Sequence, residues 1–211
     1  MAQTPAVTGD ASASAAVAEP SGGEKQLSRP QHSLWLLHQA KPANLPAYNV
    51  RCAHRFRGAL DADRLEAAIQ TVINRHEPLR TVFLERDGIP VQDVSSELRF
   101  TLLRSDFSAL PHSEREARWR MQLDTEGRRV FDLRFLPLFT FQLVRLLPDE
   151  HVLLVNAHHL IADAWSAGLL LREVATAYTG GANVGLPAGK NNYRFADYVL
   201  DQRRRLEGEK G

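Results

Sequence analysis

Two adjacent histidines, His158 and His159, precede Asp163 and Ser166 in the stretch VNAHHLIADAWS. Side chains of these types are costly to bury without partners. Their grouping is therefore a structural accident, a metal site or acid–base machinery. Successive side chains of a strand point to opposite faces, and the apolar HVLLV run ahead of the pair suggests that both faces are partly covered. Neighbouring histidines on a strand diverge, which disfavours one shared ion. Zinc is usually held by histidines four apart on a helix or from separated loops, and Asp163 alone does not complete such a set, so no metal is expected. Acid–base chemistry fits best. A neutral imidazole is the usual general base near neutral pH, provided a second hydrogen bond fixes its ring. One histidine can face the reacting centre while the other packs away and supports the turn. Asp163 opens the next helix, where it can cap the backbone or accept a buried arginine that pins the loop. Ser166 falls in that helix's first turn, where its hydroxyl can satisfy a backbone group. It is not on a nucleophile elbow, so the nucleophile is expected to come from the substrate.

The elements that must position these residues read as alternating strands and helices. Ser28 is an N-cap candidate for a short helix over SRPQHSLWLLHQA. YNVRCAHRFRGAL places Val50, Cys52, His54 and Phe56 on one face of a half-buried strand. Asp61 opens a helix with Leu65, Ala68, Ile69, Val72 and Ile73 at helical spacing. LRTVFLERDGIPVQDV is a hairpin turned at Asp87-Gly88, and LRFTLLRSD is another strand. SEREARWRMQLDTEGRR is a helix with Trp119 and Leu123 inward. A second hairpin, LFTFQLVRLLPDEHVLLVNAHH, turns at Pro148-Asp149. DAWSAGLLLREVATAYTGG is a helix stopped by Gly180-Gly181, and YRFADYVLDQRRRL is a last helix. The expected fold class is α/β or α+β, a mixed sheet with helices packed on it.

Residues 1–26 hold no aromatic, Leu or Ile and read as a disordered tail or linker, because they offer too little apolar area to offset the entropy of ordering. The remaining residues form one domain in this reading. The whole chain has 211 residues, 44% hydrophobic and 24% charged, with net charge +1, an ordinary soluble composition. Neither nucleic acid nor a membrane is expected as a partner. The short basic clusters Arg128-Arg129 and Arg203-Arg204-Arg205 read as solvated helix ends. Cys52, the single cysteine, can form no internal disulfide and reads as a small buried hydrophobe. No apolar run spans a bilayer, and no basic leader precedes Ala16-Val17-Ala18, so a cytoplasmic location is expected.

HHLIADAWS resembles the HHxxxDGxS signature of nonribosomal peptide synthetase condensation domains, in the chloramphenicol acetyltransferase-like superfamily. Three further stretches agree in the family's order: LSRPQHSLWLLHQ resembles its opening motif, RHEPLRTVFLERDG its RHExLRTxF stretch, and YRFADYVLDQ its YxDYAxW-like motif. The likeness runs from about Leu27 to Leu206. It implies a chloramphenicol acetyltransferase-like two-layer sandwich and amide-bond formation, in which a carrier-bound amine attacks an upstream carrier-bound thioester. The substrates would ride on the phosphopantetheine arms of donor and acceptor carrier proteins, with no cofactor bound by the domain itself. By the same resemblance His159 is the general base or positioning group, and His158 and Asp163 support it. The family's aspartate commonly pairs with an arginine, for which Arg80 and Arg75 are the candidates here. Two departures stand out. The family's glycine after the aspartate is Ala164, which would narrow the site or strain the turn. Complete condensation domains have two similar lobes with the active site in a tunnel between them, and this chain resembles the first lobe alone. It is accordingly expected to be the N-terminal lobe, with the C-terminal lobe or an adjacent synthetase domain as partner and little activity in isolation. The alternatives are a single-lobe acyltransferase working as a trimer, like chloramphenicol acetyltransferase, and a non-catalytic module that docks carrier proteins. Heterocyclisation domains carry aspartates where this chain keeps both histidines.

Overall fold

The computed structural model describes residues 25–40, 46–180 and 199. Its element order is β1 (Lys25–Gln26), α1 (Arg29–Ala40), β2 (Asn49–Arg57), α2 (Ala62–Arg75), β3 (Thr81–Arg86), β4 (Ile89–Val94), β5 (Leu103–Asp106), α3 (His112–Gly127), β6 (Phe139–Leu147), β7 (Glu150–His158) and α4 (Ala164–Gly180). The last sequence-predicted helix, the arginine run 203–205 and the tail up to residue 24 lie outside the described residues.

Local chemistry sets many of these boundaries. The Asp61 carboxylate accepts the Asp63 and Arg64 amides and starts α2, whose five expected apolar residues are all buried. The β3–β4 hairpin turns on Asp87 and Gly88, at φ 51° and 77°, the paired left-handed conformations that a tight hairpin requires.

Two sheets result. The order β2-β7-β6-β5 makes a four-stranded sheet, and β1-β4-β3 a three-stranded one. In the larger sheet β2, β7 and β6 run antiparallel, whereas β5 lies parallel to β6. One face carries the main core, where Phe139, Phe141, Leu153 and Val155 meet Ile69, Ile73, Val174 and Ala177 of α2 and α4. On the other face Val144, Leu146, Val152 and Leu154 pack with Trp119 and Leu123 of α3. The mixed α/β architecture expected from sequence is the one observed.

Four expectations change. Lys25 and Gln26, assigned to the tail by composition, pair with Gln92 and Val91. The strand expected over residues 98–106 is formed only from Leu103 onward. Ahead of it the chain runs along α2, where Gln70 bonds the Leu98 carbonyl and the Phe100 amide, and Glu66 accepts the Leu102 amide. Arg129 is not a solvated helix end: it makes two 2.8 Å bonds to the buried Glu126. Cys52 is only half-buried, and desolvation raises its thiol pKa. Among the described residues no helix is long and apolar enough to cross a membrane.

Candidate active site

The histidine pair sits where β7 ends, and the fold separates its members. His158 is the last residue of β7, paired with Asn49, and is 1% exposed. Its amide donates to the Leu138 carbonyl at 2.9 Å. Its Nδ1 accepts the Leu160 amide at 3.2 Å, so the neutral ring carries its proton on Nε2. Burial, then the neighbouring His38 and His159, lowers its pKa from 6.5 to about 3. His158 is thus a neutral structural ring near neutral pH.

His159 turns the other way and is exposed. Its backbone is fixed by a 2.8 Å bond from its amide to the Tyr48 carbonyl, while its side chain borders a cleft of about 460 Å³. That volume is in the range of small-ligand sites, roughly 300–1,000 Å³. The loop of residues 159–163 and the first turn of α4 form one wall, the first turns of α1 another, and the β3–β4 hairpin the floor through Thr81, Phe83, Gln92 and Val94. A Lys25–Glu77 ion pair of 2.8 Å stands at the edge. The lining combines apolar side chains such as Leu34, Phe83 and Trp165 with polar ones such as Gln31, Gln92 and Ser166.

Both helices bordering this cleft start with reciprocal caps. At α4, Asp163 accepts the Ser166 amide at 2.7 Å, and the Ser166 hydroxyl accepts the Asp163 amide at 2.7 Å. The Ser166 bonds, with nearby His159 adding a smaller effect, hold the Asp163 carboxyl below the usual range. At α1, Gln31 accepts the Ser28 amide at 3.0 Å while its own amide donates to the Ser28 hydroxyl at 3.3 Å. This is a capping box. The Gln31 side-chain amide also donates to the Leu160 carbonyl at 3.1 Å, tying α1 to the histidine loop.

The expected arginine pairing of Asp163 is not formed. Arg80 donates to the Ile73, Asn74 and Ser95 carbonyls, and Arg75 pairs with Glu173 at 3.7 Å. Asp163 is exposed rather than buried and acts as an N-cap. The strain anticipated at Ala164 is also absent. Asp87 is the non-glycine residue with positive φ among those described, and Ala164 is simply the first helical residue of α4. Its methyl is not part of the cleft lining. Among the described residues no three of His, Cys, Asp and Glu converge as a metal-binding group.

Sequence reasoning missed Gln31, Tyr48 and His38. The Ser-x-x-Gln spacing at Ser28 announces a capping box, but not the second bond of Gln31, which joins residues 129 apart. Tyr48 contributes a backbone carbonyl, to which sequence is blind. His38 reaches the His158 ring only through the packing of α1 against the end of β7, with ring centroids 5.4 Å apart.

The condensation-domain family model matches residues 22–211. A linear gramicidin synthase polypeptide of Brevibacillus parabrevis is 36% identical over 192 residues, covering 90% of this chain and 2% of that protein. Phosphinothricin tripeptide synthetase PhsC of Streptomyces viridochromogenes is 36% identical over 187 residues, covering 88% of this chain and 17% of that protein. The chain thus spans a small part of the length of the relatives it matches. In structure it is similar to the starter condensation domain of rhizomide synthetase RzmA, with TM-score 0.76, 21% identity and coverage of 88% of this chain and 44% of that one. The sequence match over nearly all of its length and the shared fold together place this chain in the condensation-domain family.

Proposed function

We propose that the chain is the histidine-bearing lobe of a condensation domain, and that His159 serves amide-bond formation between carrier-bound substrates. The observation that carries this reading is the division of labour between the two rings. His158 is buried, neutral and hydrogen-bonded into the fold, whereas His159 is exposed on a cleft with its backbone pinned. In the reaction, the amine nitrogen of one carrier-bound aminoacyl group attacks the thioester carbonyl of another. The carbon–sulfur bond breaks, a carbon–nitrogen bond forms, and the amine's proton must leave. A neutral imidazole beside the amine can accept that proton or hold the amine in line. The thioesters would arrive on phosphopantetheine arms of donor and acceptor carrier proteins. Asp163 and Ser166 keep α4 capped so that the 159–163 loop holds its course. An arginine facing Asp163 would come from outside the described residues. The facing wall of a closed site would be a second lobe, in line with the chain covering 44% of the similar structure.

The test is His159→Ala in a complete condensation domain carrying this segment, assayed with carrier-loaded donor and acceptor. Loss of about two to four orders of magnitude in turnover, with folding intact, is expected for a general base. Undiminished peptide formation would refute the assignment.

A further inference from the structure

His158 uses Nδ1 to accept the Leu160 amide, so its remaining proton sits on Nε2. That Nε2 is buried and has no hydrogen-bond partner among the described residues, and the same holds for Nδ1 of His38. A buried donor thus lies unpaired near a buried ring nitrogen that can accept when its own ring carries the proton on Nε2. The two rings stand edge to face, at 70° with centroids 5.4 Å apart. A linear N–H···N bond between imidazoles, with nitrogens about 2.9 Å apart, sets centroids roughly 5 Å apart. The observed centroid separation lies close to that value. Leaving both groups unpaired would cost about 1–3 kcal/mol each. Phe131 and Tyr48, with ring centroids 6.4 Å from that of His158, are its other aromatic neighbours.

From this geometry we infer that His38 is a positioning residue of the histidine motif, its Nδ1 accepting the Nε2 proton of His158. The inference rests on the functional reading only in giving the motif a purpose. His38 lies on α1, the helix that Gln31 already ties to the Leu160 carbonyl. The carbonyl of Leu160 is thus held from Gln31 and its amide from His158, whose ring is held in turn from His38. Leu160 follows His159 directly, so α1 fixes the backbone beside the reactive ring at two points. Among the described residues, the charged and titratable groups around the pair include His159 and Tyr48 beside His158 and Asp132 near His38, with Arg134 bonded to Asp132 at 2.6 Å. Asp132 favours a proton on His38, but burial outweighs it and lowers the His38 pKa. With its proton on Nε2, a neutral His38 offers Nδ1 as the acceptor.

The test needs no enzymatic turnover. In the 211-residue chain labelled with ¹⁵N-histidine, long-range proton–nitrogen spectra at about pH 7 should show His158 protonated on Nε2 alone, with scalar coupling from that nitrogen to Nδ1 of His38. His38→Asn places a carboxamide oxygen near the position of Nδ1 and should keep the His158 tautomer. His38→Phe keeps a ring but no acceptor, and should speed hydrogen exchange of the Leu160 amide by about tenfold or more. A His158 ring protonated on Nδ1, no coupling in the wild-type chain, or equal Leu160 exchange in all three proteins would overturn the inference. The wild-type spectrum decides even if His38→Phe fails to fold. If the ring bond is present but His159→Ala leaves amide synthesis intact, the functional reading falls and this one stands.

Discussion

At the residue scale, burial makes protonation costly at His158. The pKa of His158 lies at about 3 in the folded protein against 6.5 for the free side chain. Between those values the unfolded chain binds the extra proton and the folded one does not, so falling pH favours unfolding. The contribution of His158 to stability is therefore fully present above about pH 6.5 and drains away toward pH 3, at up to about 1.4 kcal/mol per pH unit. His38 and His151, both with lowered pKa values, add in the same direction. His158→Asn retains an acceptor for the Leu160 amide. Denaturant melts at successive pH values should show a shallower loss between pH 7 and 5 for this variant; an unchanged slope would show that His158 is not buried neutral. Asp163 makes a different contribution. As an exposed cap it supports one helix end, so Asp163→Ala should cost about 0.5–2 kcal/mol in equilibrium unfolding, with Asp163→Asn close to wild type. Ala164→Gly, at the first helical position, should lower stability by up to about 1 kcal/mol and leave the cleft intact. A gain in stability on that substitution would show that Ala164 is strained after all.

At the element scale, the register of the histidine-bearing strand depends on α3. The last carbonyls of a helix lack partners within it. Those around the end of α3 are satisfied from the sheet: Asn156 of β7 donates to the Glu126 carbonyl at 2.6 Å, and Asn49 of β2 to the carbonyls of Gly127 and Arg129 at 3.3 and 2.7 Å. Asn49 is the cross-strand partner of His158, and the Tyr48 carbonyl before it holds His159. Capping α3 thus also fixes the start of β2, and through it the end of β7. Burial works against the charge of Glu126, but Arg129 and Thr140 hold its carboxyl below the usual range. Asn49→Ala and Asn156→Ala should each destabilise by roughly 1–3 kcal/mol. Their double mutant should fall short of the sum, since both bond to one helix end; strict additivity in thermal and urea unfolding would deny a shared clamp. Elements differ in how far the sequence announces them. Asp61, the α2 stripe and Asp87-Gly88 were legible because each signal lies within a few residues of its effect. The course of residues 98–102 was not, because Leu98 and Leu102 alternate like strand residues while their backbone is satisfied by Gln70 and Glu66 of α2. Hydrophobic period reports which side chains are buried, but not what pairs with the main chain.

At the scale of the whole molecule, the motif HHLIADAWS was readable as a unit, and the residues that immobilise it were not. Gln31, Tyr48 and His38 come from segments more than 100 residues away in sequence. They reach the loop only because β2 lies beside β7 in the sheet and α1 packs across its end. The cleft is lined by Gln31, by His159, which is exposed, and by Trp165, which is 77% exposed. Amide synthesis from a thioester competes with water, and a site that does not exclude water loses both the electrostatic advantage and the acyl group. The 211-residue chain on its own should therefore yield no peptide above background from carrier-loaded substrates, even though His159 is in place. Light scattering on the same preparation separates the remaining architectures. A monomer with an unpartnered apolar cleft face accords with one lobe of a two-lobed domain. A stable trimer that turns over would show instead that copies of this chain close the cleft for each other.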